Sequence, residues 1–182
     1  CERAGRQPEE VTLVAVTKTH GPETLRAACE CGLTIVGENR VQEALAKAEQ
    51  CPGRLHWHFI GHLQRNKVRK ALSLFEMIHS IDSPRLLETV DTVAGEVGGR
   101  IPALLEVNVS GEGSKYGLKP EDLPEILETA RECRRVDVVG LMTMPPWTPE
   151  PGQARPHFVR LRELLERCGT EWDFPMTELS MG

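Results

Sequence analysis

Seven short apolar runs, each followed by a stretch of helical character, constrain this chain more than any single motif in it. The runs are Val11–Lys18, Leu33–Glu38, His56–Gly61, Met77–Ile81, Ile101–Val109, Val138–Met144 and Thr177–Met181. Their β-branched content and brevity predict strands. Between them, Pro22–Cys31, Val41–Gln50, Gln64–Leu74, a segment from Pro84 to about Val97, Glu121–Arg134 and Arg155–Cys168 predict helices. The punctuation agrees. Pro22 and Pro84 stand near helix starts, Asp82 or Ser83 is available as a cap, and Gly32, Pro52-Gly53 and Gly98-Gly99 stand at helix ends. Strict alternation of strand and helix implies parallel strands with helical crossovers. Two α/β folds satisfy it: a doubly wound open sheet and a (β/α)8 TIM-type barrel.

The strand ends favour the barrel. A doubly wound sheet usually carries a glycine-rich phosphate turn after an early strand, and none is present here. A barrel spreads polar residues over the C-terminal ends of many strands. Here Lys18, Glu38-Asn39, His58, His62, Ser80-Asp82, Asn108-Ser110, Thr143 and Ser180 are so distributed. An eighth strand would be needed to close the barrel, so a single domain over 1–182 that lacks its last strand is expected. With 182 residues the chain is long enough for one domain with its own core.

Charge and composition narrow the function. A net charge of −5 argues against a nucleic-acid partner. No apolar run is long enough to cross a bilayer, and the polar start Cys1–Arg6 does not resemble a secretory signal. The six cysteines form no CxxC pair and do not suggest a disulfide framework. They are expected as reduced thiols in a cytoplasmic protein. A monomer is expected, because no long exposed apolar stripe stands out.

Several stretches carry possible chemistry. In "VTLVAVTK" an apolar run ends at Lys18, which is either a surface exit or a reactive amine held at the mouth of a barrel. "HWHFIGH" places His56 and His58 on one face of a strand, as a zinc hydrolase would, yet further ligands are not evident and His79 has no visible partner. "LQRNKVRK" reads as a solvated basic helix face, with Gln64, Arg65 and Asn66 near enough to the strand-three exit to meet an anion. "SGEGSKYGL" is a glycine loop holding Lys115 that lacks Walker A spacing, and no nucleophile elbow occurs. "LSMG" offers a hydroxyl and glycine amides where barrels commonly bind phosphate, or a plain turn.

Taken together, "LVAVTK", "VGENRVQE", "WHFIGHLQRNK", "HSID", "EVNVSGEGSKYGL", "GLMTM" and "ELSMG" resemble, in order, the pyridoxal-phosphate homeostasis proteins, single-domain relatives of the alanine racemase barrel. The resemblance implies a fold-type III barrel with pyridoxal 5'-phosphate in a Schiff base on Lys18. It implies Asn39 beside the ring hydroxyl, Ser180 and Gly182 in the first part of the phosphate cup, and His58, Ser80 and Met142 lining the mouth. It also implies that the family continues beyond "LSMG" into a segment that completes the cup. Racemases carry a tyrosine four residues after the lysine, where this chain has Pro22, and a histidine after "MT", where it has Met144. Racemisation needs acid/base groups on both faces of the ring. Lys18 supplies one and the sequence offers no clear second, Tyr116 being the only tyrosine. A carrier that holds, buffers or delivers the cofactor, with PLP-dependent apo-enzymes as possible recipients, is therefore expected. A weak racemase and a metal-dependent barrel hydrolase are the alternatives.

Overall fold

Strand order decides between the two architectures. The computed structural model describes residues 1–51, 55–111 and 116–182. Its strands are β1 (Ala15–Val16), β2 (Ile35–Glu38), β3 (His56–Phe59), β4 (Met77–Ile81), β5 (Ile101–Glu106), β6 (Val136–Thr143) and β7 (Glu178–Met181). They form one parallel sheet in the sequential order β1-β2-β3-β4-β5-β6-β7. A doubly wound sheet reverses its order at a switch point; this one never does. The helices between the strands are α1 (Pro22–Glu30), α2 (Val41–Ala48), α3 (Val68–Ala71), α4 (Pro84–Glu96), α5 (Leu123–Glu132) and α6 (Arg155–Glu171).

The sheet is curved into an open half-barrel. His79 on β4 and Ser180 on β7 lie three strands apart, about 14 Å in a flat sheet, yet their side chains meet at 2.9 Å. Bulges in the β4–β5 and β5–β6 pairings accompany the bend. Helices cover the convex face. There Trp57 and Phe59 of β3, Leu25 of α1, Val41 and Ala44 of α2, and Leu86, Leu87 and Val90 of α4 join one buried core. By alternation, the residues between the core-facing ones point into the concave face.

Local chemistry sets most boundaries as read from sequence. Ser83 caps α4 by accepting from the Leu86 amide, and Pro84 opens that helix. Such a cap contributes about 1 kcal/mol. Gly140 is required where β6 meets β7, because a Cβ there would overlap the Glu178 carbonyl.

Two expectations are corrected. The predicted helix Gln64–Leu74 is a 3-10 turn at Arg65–Lys67 followed by the single turn of α3. Ser73 ends it, donating its hydroxyl to the Lys70 carbonyl at 2.8 Å. The predicted strand Val11–Lys18 pairs only at Ala15 and Val16, and Val11, Leu13 and Val16 are exposed. Among the described residues β1 pairs with β2 alone, and Val11 and Leu13 lie outside that pairing. Pro52-Gly53 and the loop positions Gly113 and Lys115 lie outside the described residues.

Candidate functional site

Lys18 lies two residues past the end of β1. Thr17, just before it, turns to the helix side and donates to Glu38 Oε1 at 2.8 Å. Alternation then aims Lys18 at the concave face. Thr19 takes φ +68°, a left-handed conformation costly for a residue with a Cβ, and the His20 amide bonds back to the Thr17 carbonyl at 3.1 Å. This tight turn ends the strand at the lysine. Behind it sits a buried ion pair: Lys47 Nζ lies 2.6 Å from Glu38 Oε1 and 2.9 Å from the Thr17 carbonyl oxygen. Glu38 is fully buried and its second oxygen, Oε2, has no hydrogen-bond partner. The pair ties α2 to the strand end that carries Lys18. Lys18 itself is half-buried, and among the described residues its amine makes no hydrogen bond or ion pair.

The concave face holds a chain of polar groups. His58 pairs in register with Gly37 of β2 and lies between the core-facing Trp57 and Phe59, so it points inward. Its Nδ1 is 2.9 Å from His79 Nε2, and His79 Nδ1 is 2.9 Å from Ser180 Oγ. Burial, and then the neighbouring His58, push His79 down to about 4, so it is neutral across the physiological range. Burial also lowers His58. Met142 stands in register with Ser180 and with Glu106, and is itself 4% exposed.

Glu106 is a candidate site residue that the sequence reading missed. It ends β5 on the same face as Met142, and its carboxyl is pushed up to about 7. Burial is the main cause; the Asp82 charge adds to it and His62 partly opposes it. Nearby, His62 Nδ1 is 2.8 Å from Asp82 Oδ2, and the His62 ring stacks on Tyr116 with centroids 4.1 Å apart.

Other sequence candidates take different places. Ser80 is fully buried and donates its hydroxyl to the Gly61 carbonyl. Asn39 is half-buried at the end of β2 and lines a cleft of about 270 Å³ with Arg40, His62, Gln64 and Lys67. Arg65 and Asn66 are exposed outside that lining. Gly182 follows β7 and is exposed. His56 turns to Glu76, its Nδ1 2.7 Å from Oε2, and so shares no ligand with His58. Among the described residues no three His, Cys, Asp or Glu side chains gather into a set able to hold a metal ion. All six cysteines are unpaired, and burial pushes the Cys168 thiol up to about 11. No described helix is long and apolar enough to cross a membrane.

Comparison with known proteins agrees with this fold. Residues 2–182 match the family "Alanine racemase, N-terminal domain". The "Pyridoxal phosphate homeostasis protein" of Aquifex aeolicus is 43% identical over 183 residues, spanning 100% of this chain and 80% of that protein. The protein of the same name from Escherichia coli K12 is 34% identical over 185 residues, spanning 99% of this chain and 78% of that one. Among solved structures, PipY of Synechococcus elongatus with PLP bound superposes with TM-score 0.88 at 35% identity, covering 100% of this chain and 85% of that one. An alanine racemase from Clostridium difficile superposes with TM-score 0.78 at 12% identity, over 95% of this chain and 46% of that one, which is a likeness of fold. An open half-barrel with a lysine on its first strand end, matched along nearly its whole length by these relatives, places the chain in the pyridoxal phosphate homeostasis protein family, built on the alanine racemase N-terminal domain.

Proposed function

We propose that this protein binds pyridoxal 5'-phosphate reversibly through Lys18 and holds, buffers or delivers it to PLP-dependent apo-enzymes. The observation that carries the reading is the Lys18 amine: half-buried, aimed at the concave face, and engaged by no other described group. An amine held without a partner is suited to condense with an aldehyde, its nitrogen bonding the carbonyl carbon with loss of water. The donor set fits the rest of the cofactor. Asn39 stands at the next strand end, engaged by no other described group, a hydroxyl stands at Ser180, and Gly182 supplies a backbone amide. These suit a ring hydroxyl at one end and a phosphate at the other. The bound group would supply an aldehyde that captures amines and an electron-withdrawing ring. The chain's own part is to fix the strand end that carries the lysine through the Thr17–Glu38–Lys47 contacts.

The test is the visible absorption spectrum of the protein after addition of pyridoxal phosphate, before and after borohydride reduction, beside Lys18→Ala. A band that reduction fixes covalently, and that the variant lacks, is the expected result. A spectrum that stays that of free cofactor, or an adduct that persists in Lys18→Ala, would overturn the Lys18 assignment. Transfer of the bound cofactor to an added apo-enzyme, faster than a trap alone removes it, checks delivery.

A further inference from the structure

The relay His58–His79–Ser180 crosses the concave face, and the reading above gives His79 no task. We propose that His79 is a positioning residue: it donates from Nδ1 to Ser180 Oγ and so leaves the serine hydrogen free to point at a bound phosphate group. The inference rests on the proposed binding of a phosphorylated ligand at Ser180.

The argument is one of counting protons. Each contact in the relay is 2.9 Å, and each needs one donor and one acceptor. His79 is 4% exposed and neutral, so it carries one N–H. Only two arrangements then satisfy both contacts. In one, Ser180 donates to His79 Nδ1 and His79 Nε2–H donates to His58. The serine hydrogen is consumed, and Ser180 offers an incoming anion only lone pairs. In the other, His58 Nδ1–H donates to His79 Nε2, and His79 Nδ1–H donates to Ser180. The serine hydrogen is then free to donate to the anion. A phosphate oxygen carries lone pairs and negative charge, so it selects the second arrangement. Occupancy at Ser180 is thereby coupled to the tautomers of two histidines, the farther of which lies on β3.

The distances support this role over a packing role alone. His79 has one nitrogen engaged by His58 on the neighbouring strand β3 and the other by Ser180 on β7, three strands away, so its single proton sets the direction of both contacts. It is also held from ionising by burial. An imidazolium would donate from both nitrogens and remove the choice between the two arrangements.

The experiment is nitrogen NMR of the full chain labelled with ¹⁵N-histidine, alone and saturated with 4'-deoxypyridoxine 5'-phosphate. This analogue keeps the phosphate and lacks the aldehyde, so it reports the relay without the Lys18 bond. His79 resonances are assigned by their loss in His79→Gln. In the saturated protein His79 is expected protonated on Nδ1 and bare on Nε2, with His58 protonated on Nδ1. In Ser180→Ala the ligand is expected to leave the His79 tautomer unchanged. His79→Gln, whose amide stands toward His58, is expected to weaken analogue binding about tenfold, the loss of one donor chain to a charged group. His79→Asn, whose amide stands in place of Nδ1, is expected to restore affinity to within about threefold of the parent. Bound protein with His79 protonated on Nε2 overturns this inference and leaves the functional reading intact. Failure of both the analogue and pyridoxal phosphate to bind overturns the functional reading and this inference with it. The tautomer measurement on the unaltered protein decides the question even if a His79 variant does not fold.

Discussion

Replacing Glu106 by glutamine removes a titration that works against the fold. The Glu106 carboxyl moves from an ordinary 4.5 to about 7 on folding, chiefly because it is buried and then because Asp82 lies near. Its folded value is the higher one. The contribution is therefore fully present below the unfolded value and is lost as pH rises through the folded one. At 1.36 kcal/mol for each pH unit, the wild type loses about 3 kcal/mol of stability between pH 4.5 and about 7 from this group alone. His79 slopes the other way. Its value falls from 6.5 to about 4, so its contribution is absent at low pH and gained as pH rises through that window. The two offset each other over most of the range, and the parent profile is nearly flat on their account. Glu106→Gln resembles the protonated acid at every pH. It should match the wild type near pH 4.5 and exceed it by about 3 kcal/mol near pH 8. For a chain of this size that is about 6–12 °C in melting temperature. Urea denaturation of both proteins at the two pH values measures the difference directly. A difference that does not grow with pH, or a variant less stable at pH 8, would refute the claim that Glu106 is held protonated by its surroundings.

Two further substitutions test the framework behind the site. Lys47→Met leaves the Glu38 carboxylate buried without its cation and should cost about 3–5 kcal/mol in urea unfolding, with Glu38→Gln in the same chain recovering part of that loss; an effect under 1 kcal/mol would mean that the pair is not held apart from water. Gly140→Ala should destabilise by about 3 kcal/mol or more, because the methyl group meets the Glu178 backbone, and should displace Ser180, which shares β7 with Glu178, whereas Gly95→Ala in α4, where the methyl group makes only ordinary contact with the Arg135 side chain, should be neutral or stabilise by up to about 1 kcal/mol; circular dichroism melts compare the two.

The strand–helix rhythm was legible because parallel strands are short apolar runs and helices end at glycine and proline. The same property hid Glu106. In "LLEVNV" the core residues Leu105 and Val107 leave Glu106 on the opposite face, but nothing in the run marks what the carboxyl meets there. Its environment is made by Asp82 and His62, which arrive from the β4 and β3 ends. Lys47 was more readable than it was read. Val41, Ala44 and Lys47 are spaced three apart, which puts the lysine on the buried stripe of α2 and calls for an anion beneath it. The fully buried acid there is Glu38, which ends β2.

His79 marks the boundary between the two kinds of information. That His58 faces the concave side follows from Trp57 and Phe59 flanking it, and alternation is a property of one strand. That His79 reaches Ser180 is a property of the sheet's curvature, which brings β4 and β7 together although they share no pairing and are 101 residues apart. Curvature is set by strand register, and register shifts at Ile78/Ile81 and at Ala103/Leu104 are where this sheet departs from regular pairing. The first shift is announced by no glycine or proline between Ile78 and Ile81, and the second is marked only by Gly140, the partner of Leu104 on β6. A lysine at one strand end and a serine at another can thus be named from sequence as candidate partners of one ligand. The residue that sets the direction of the serine's hydrogen bond becomes visible only once the sheet has bent far enough for both to face it.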